Sequence, residues 1–326
     1  MRLTFTVQRF NPETDLHPHL EDYRLDIGRG ATVLEALIRI KHELDGSLSL
    51  RYSCRSAICG SCAMKINGSE KLACRTSIRK EIEHHGRMDI EPLPNLPVIK
   101  DLVVDMSSFW HKITAVAPWL RSSLHPVQRY GPSGQLRLVP THYQFFNVDA
   151  CIMCGACVAA CTTHEVSKGF LGPAALAKAD RFLSDPREPE PAKLHRLRIL
   201  ERANGMWDCT RCNMCVQVCP KDVKPMEAII RLRRGSIQRG LTSTEGARHV
   251  TGFTEIIERS GRLNEAVMPL KVIGANPVGM LRVIPLGLSM LLKGKVPSPF
   301  GHMLPGIEQV RAIFAAFRRR KRPVHP

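Results

Sequence analysis

The stretch DCTRCNMCVQVCPKDVKP, residues 208–225, sets four cysteines in the order C-x2-C-x2-C-x3-C and closes on a proline. Residues 151–161, CIMCGACVAAC, repeat that spacing. Thiolates are the ligands of iron–sulfur clusters, and in two-cluster bacterial ferredoxins the fourth cysteine of each run serves the other cluster. Crossing assigns Cys151, Cys154, Cys157 and Cys219 to one [4Fe–4S] cubane, and Cys209, Cys212, Cys215 and Cys161 to a second. Pro220 follows Cys219 as the motif asks, whereas Thr162 stands after Cys161.

Upstream, Cys54, Cys59 and Cys62 are spaced C-x4-C-x2-C, and Cys74 follows after eleven residues. This is the plant-type [2Fe–2S] spacing. A tight loop has to wrap three thiolates round a flat cluster, so Gly60 and Ser61 are expected to let backbone N–H groups approach the sulfurs, with Cys74 closing the site from a neighbouring hairpin. All twelve cysteines fall into these three sets. A disulfide scaffold would scatter them through loops, and zinc sites favour paired C-x2-C units. The pattern points to cluster ligation in a reducing, cytoplasmic setting.

At 326 residues, 44% hydrophobic and 24% charged, the chain has the composition of a folded multidomain protein. The nearest approach to a membrane span, residues 278–292, is short and carries Arg282 and Pro285. The N-terminus alternates apolar and polar residues and has no signal-peptide core. The net charge is +17, and residues 231–326 hold 17 Lys and Arg against 5 Asp and Glu. Three oxidised clusters, each about −2 with its thiolates, would lower the total to roughly +11 and leave the C-terminal third as the basic part.

Residues 3–7 and 23–27 read as strands, and TVLEALIRIKHEL (32–44) as a helix opened by a Thr32/Glu35 capping box. AMKINGSEKLAC (63–74) signals a hairpin turning at Asn67-Gly68, and MDIEPL (88–93) a last strand. PLPNLPVIKDL (92–102) reads as a connector, GPAALAKADRFLSD (172–185) and PMEAIIRLRRGSI (225–237) as helices, and SDPREPEPAKLHRLR (184–198) as a loop. The expected fold class is α+β: a plant-type ferredoxin domain over 1–100, a linker over 101–139, a mainly α-helical two-cubane domain over 140–235 and a basic helical extension over 236–326. The extension ends in an amphipathic helix with the stripe Ile307, Val310, Ile313, Phe314 and Phe317.

RYSCRSAICGSCAMKINGSEKLACRT (51–76), PVIKDLVVDMSSFWHKITAVAPWL (97–120) and CNMCVQVCPKDVKP (212–225) resemble the iron–sulfur subunit of succinate dehydrogenase and fumarate reductase. The resemblance covers about residues 1–235. It implies a β-grasp N-terminal domain and an electron relay without substrate chemistry of its own. The partners it implies are an FAD-containing flavoprotein, a membrane anchor and a quinone, with menaquinone expected. The expected location is the inner face of the cytoplasmic membrane, reached through those partners, with no role in nucleic-acid binding.

Three positions depart from the family pattern. Most members have a non-thiol residue where this chain has Cys212, which leaves them a distal [3Fe–4S] cluster; here a second [4Fe–4S] is expected, with [3Fe–4S] as its alternative. TTHEV (162–166) replaces the proline and aromatics of the quinone pocket, and Thr210 replaces a frequent histidine. The long tail with twin cubane motifs also resembles the small subunit of heterodisulfide reductases. A relay for a heterodisulfide or glycerol 3-phosphate is therefore the alternative reading, and a zinc-dependent nucleic-acid-binding protein a remote one. His164 and Trp207 read as packing residues first and as quinone-site or cluster-shielding residues second. The FRRRKRP run (317–323) reads as a solvated charge run, with contact to lipid headgroups or an acidic partner as the alternative.

Overall fold

The computed structural model describes residues 2–28, 30–121, 147–296 and 303–320. Residues 122–139 of the expected 101–139 linker and residues 321–323 of the basic run lie outside them. The chain forms two compact units, Met1–Gly235 and Ser236–Pro326.

The first unit opens with the antiparallel pair β1 (Arg2–Arg9) and β2 (His19–Asp26). Period-two patterning sends Phe5 and Val7 fully into the core. The capping box forms as the sequence predicts: Thr32 accepts from the Glu35 N–H and Glu35 accepts from the Thr32 N–H, starting α1 (Val33–Arg39), which relaxes into a π-helical turn over Ile40–Leu44. In the hairpin of β3 (Ala63–Ile66) and β4 (Ser69–Leu72), Asn67 and Gly68 both adopt positive φ, as a two-residue type I′ turn requires. After α2 (Ile78–His85), β5 (Asp89–Glu91) pairs parallel to β1 and antiparallel to β3. The sheet order is β2-β1-β5-β3-β4, with Leu34, Leu37, Ile66 and Ile90 in the core beneath it.

The connector holds a short hairpin, β6 (Val98–Lys100) and β7 (Val103–Val104), which the sequence reading does not anticipate. Asp101 at its turn is 1% exposed and accepts from Arg9 Nε (3.0 Å), the Phe10 N–H (3.0 Å) and the Ser49 N–H (2.8 Å). Arg9 also pairs with Glu21 and Asp45, so one buried guanidinium ties four segments together.

Helices then take over: α3 (Ser107–Ala115), α4 (Ala156–Ala159), α5 (Thr162–Val166), α6 (Pro173–Leu183), α7 (Glu190–Leu200), α8 (Met214–Gln217) and α9 (Pro225–Gln238). α7 corrects the loop expected over 184–198. Its prolines do not break it, because Pro189 is the N-cap and Pro191 lies in the first turn, where no intrahelical N–H is needed. Burial of Arg196, Leu197 and Leu200 then holds the helix.

The second unit contains α10 (Glu245–Ser260), α11 (Val267–Ile273), α12 (Pro277–Leu292) and α13 (Ile307–Arg320). α10 packs against α11, where Gly252 abuts Lys271, and against the start of α13, where Gly261 abuts Leu304 and Ile307. Of the expected stripe, Ile307, Val310 and Phe314 are half-buried, while Ile313 and Phe317 are exposed. Among the described residues no helix is long and apolar enough to cross a membrane.

Candidate iron–sulfur centres

The loop before β3 turns back on itself through positive φ at Arg55, Ala57 and Gly60. Alternating handedness points successive N–H groups inward, forming an anion-binding nest. The N–H groups of Ser56, Ile58 and Cys59 donate to Cys54 Sγ at 3.4, 3.3 and 3.2 Å, and that of Ala57 to Cys74 Sγ at 3.3 Å. Hydrogen bonding with Ser61 and Cys54 lowers the Cys59 thiol to about 6, while burial pushes Cys62 up to about 12.

The Ser61 N–H reaches the Cys59 sulfur, and Gly60 before it has a further role. A Cβ on Gly60 would lie 2.8 Å from Cys154 Cβ, 3.0 Å from its Cα and 3.1 Å from the Ile152 carbonyl. Glycine therefore lets the first cysteine loop touch the second.

The two later loops repeat one backbone pattern. Around Cys154, Met153 and Gly155 have φ of 56° and 83°; around Cys212, Arg211 and Asn213 have φ of 60° and 69°. Each loop then enters a single helical turn, α4 or α8, that carries the third cysteine, Cys157 or Cys215. Cys151, Cys154, Cys157 and Cys219 line one apolar pocket, together with Ala174 and Ala177 from α6. Burial, then the neighbouring Cys151 and Cys219, push the Cys154 thiol up to about 11, and burial raises Cys157 further. The other set converges likewise: burial, then Cys209, Cys161 and Cys212, push Cys215 up to about 12. The fold thus brings together both crossed sets named from spacing. Two thiols of each set, Cys154 and Cys157 in one and Cys161 and Cys215 in the other, have their ionisation held off by burial and by neighbouring thiols, and such soft donors suit a multinuclear cation that supplies the missing positive charge.

Cys212 differs from its companions in being exposed. Partial burial acts to raise its thiol, but hydrogen bonds with Thr162, the Met214 N–H and Thr210 outweigh it and hold the thiol below its ordinary value. The Thr162 hydroxyl lies 3.5 Å from the sulfur. Both threonines stand where the family pattern has other residues. Sequence reasoning recorded them as losses and missed that they face this thiol.

His164 is 2% exposed, with Nδ1 3.2 Å from Lys112 Nζ. Burial, then the Lys112 and Lys168 charges, lower it to about 4, so it packs as a neutral, hydrogen-bonded side chain. Trp207 is half-buried beneath the Arg233 guanidinium, 5.2 Å from its ring centroid, and Arg233 donates to the Met206, Trp207 and Cys209 carbonyls. This arginine, which the sequence reading passed over, clamps the approach to the third loop.

One turn beyond Ala177, Asp180 is 1% exposed, and Arg231 donates twice to its Oδ2 (2.9 and 2.7 Å) while Oδ1 has no partner. Burial pushes this carboxyl up to about 6. With the folded value above the unfolded one, the stability it contributes is full below about pH 4 and is lost as pH rises through 6. The wild type is expected to gain about 1.4 kcal/mol at pH 5 relative to pH 7.5 from this group. Denaturant midpoints of wild type and Asp180→Asn at the two pH values check this, because the variant cannot ionise and loses that difference.

Residues 4–111 match the family model of the 2Fe-2S iron-sulfur cluster binding domain, and residues 147–223 that of the 4Fe-4S dicluster domain. The fumarate reductase iron-sulfur subunit of Haemophilus influenzae is 42% identical over 233 residues, covering 68% of this chain and 88% of the relative. That of Mycobacterium tuberculosis is 40% identical over 234 residues, covering 71% and 92%. That of Escherichia coli O157:H7 is 39% identical over 227 residues, covering 70% and 90%. A chain of the Mycobacterium smegmatis Sdh1 complex in the apo form shares the fold with a TM-score of 0.62 at 24% identity, covering 73% of this chain and 96% of that one. Two cluster-binding domains in this order, with relatives this similar along nearly their whole length, place the chain among the succinate dehydrogenase/fumarate reductase iron–sulfur subunits, electron-transfer proteins with 2Fe-2S and 4Fe-4S clusters.

Proposed function

We propose that the chain relays electrons between an FAD-bearing flavoprotein subunit and a quinone held at a membrane anchor subunit, sitting peripherally on the inner face of the cytoplasmic membrane. In this reading Cys54, Cys59, Cys62 and Cys74 hold a [2Fe–2S] cluster, and Cys151, Cys154, Cys157 and Cys219 a [4Fe–4S] cluster. Cys161, Cys209, Cys212 and Cys215 hold a second [4Fe–4S]. Bound there, the clusters pass single electrons, the distal one at a lower potential than a [3Fe–4S] would have, which suits menaquinone.

The chain's own residues prepare this route. The nest at 56–59 spreads negative charge from the Cys54 and Cys74 sulfurs onto backbone N–H groups. The Gly60–Cys154 contact brings two cysteine loops to van der Waals distance, so an electron crosses protein rather than water. Thr162 and Thr210 favour the thiolate of Cys212, the form that ligates iron.

The observation that carries the distal [4Fe–4S] is the backbone repeat: the φ pair flanking Cys212 matches the pair flanking Cys154. EPR of the anaerobically purified protein tests it. The oxidised wild type is expected to be silent, and dithionite to bring up one [2Fe–2S] and two interacting [4Fe–4S] signals. Cys212→Val is expected to show a [3Fe–4S] signal when oxidised. An unchanged distal spectrum in the variant, or a [3Fe–4S] signal in wild type that added iron does not remove, sinks the assignment.

A further inference from the structure

We propose that α12 is a membrane-surface anchor, lying in the headgroup–acyl boundary of an anionic bilayer with its apolar flank inward. None of its side chains is buried. Leu281, Ile284, Leu286, Leu288, Leu291 and Leu292 are each 55–81% exposed. Apolar area on this scale has no place in water, and within the described residues nothing covers it. Its polar positions are few and aligned: Arg282 and Ser289, two turns apart, share one side, while Ile284, Leu288 and Leu291 face away from them.

Charge identifies the occupant. Between Glu265 and Glu308 the sequence holds no Asp or Glu; Lys271 pairs with Glu255 of α10, while Arg282, Lys293 and Lys295 interrupt or follow the helix. A run of cations without one anion, around an apolar helix, is complementary to anionic headgroups. Length and backbone then exclude spanning. The helix has 16 residues, about 24 Å at 1.5 Å each, against about 30 Å of hydrocarbon. Pro285 in its interior removes a backbone donor and leaves the Leu281 carbonyl without its helical partner, which headgroup water can serve and hydrocarbon cannot. An in-plane helix meets these conditions, with Arg282, Lys293 and Lys295 reaching the phosphates.

The test uses the full chain with its clusters, floated with phosphatidylcholine vesicles containing about a third phosphatidylglycerol and with pure phosphatidylcholine. Wild type is expected to float with the anionic vesicles and more weakly with the neutral ones. Ile284→Glu/Leu288→Glu/Leu291→Glu is expected to bind at least about tenfold more weakly. These positions are exposed, so brown colour, EPR signals and helical circular dichroism should stay as in wild type. Those readouts also keep this inference separate from the cluster assignment. Equal binding by the variant, which would hand the lipid contact to basic α13, overturns the proposal, as does wild type that floats with neither vesicle. Self-association that the substitutions abolish without any vesicle binding assigns the flank to a second copy and overturns it too. So does loss of a co-purifying integral subunit under the same condition.

Discussion

Gly60→Ala is expected to strip iron from the second cysteine set while the first keeps its own. Gly60 has φ of +75°, where an added Cβ costs about 1–2 kcal/mol. That Cβ would also stand 2.8 Å from Cys154 Cβ and 3.1 Å from the Ile152 carbonyl. Neither neighbour is the free end of a flexible side chain, so the loop carrying Cys151, Cys154 and Cys157 has to move. Strain and overpacking together should destabilise the first unit by about 3 kcal/mol. Gly68→Ala is the matched control: its φ is +78°, but nothing lies within 4 Å of the added Cβ, so only the conformational cost applies. Iron per chain and the dithionite-reduced EPR spectrum separate the two variants. Equal iron content in both would mean that the contact between the loops is not what holds the second site.

Arg196→Leu should unfold a different part of the molecule. Arg196 is 1% exposed; it donates to the Val116, Ala117 and Trp119 carbonyls at 2.6, 2.7 and 3.3 Å and to Glu188 Oε1 at 2.7 Å. Glu188 is 2% exposed and accepts the Arg121 N–H through its other oxygen. Removing the guanidinium leaves a buried carboxylate and three carbonyls without their cation, a loss of about 3–5 kcal/mol. Arg196→Leu/Glu188→Leu should recover most of that, since an uncompensated buried charge is worse than no charge. Urea midpoints of the single and double variants measure the recovery. A single variant within about 0.5 kcal/mol of wild type would show that water reaches Glu188.

Cysteine spacing made the three cysteine sets legible, because their fixed offsets constrain sequence more tightly than packing does. Turn chemistry at Asn67-Gly68 and the Thr32/Glu35 cap were equally readable, since each needs particular residues at fixed offsets. α7 was hidden because Pro186, Pro189 and Pro191 are loop signals by composition, and only their positions, two at or before the N-cap and one in the first turn, make them compatible with a helix. β6 and β7 were hidden because Asp101 earns its place through Arg9, about ninety residues away, and no local pattern reports such a partner. Gly60 was noticed for its own loop alone, and its contact with Cys154, about ninety residues away, has no local pattern to report it. Thr162 and Thr210 look like absences when compared with a pattern, and only the fold shows that both face Cys212.

The pocket built from residues 151–157 and 219–225 also sets a timetable. Its two walls are 68 positions apart from Cys151 to Cys219, so a ribosome adding about 5–20 residues per second leaves the first wall alone for about 3–14 s. During that interval Cys151, Cys154 and Cys157 are open thiols facing whatever the nascent chain meets. Iron delivered before Cys219 emerges finds an incomplete cradle, whereas all four cysteines from 54 to 74 have already been made. The order of synthesis therefore completes the N-terminal cysteine set long before the two later sets, which close within four residues of each other at Cys215 and Cys219.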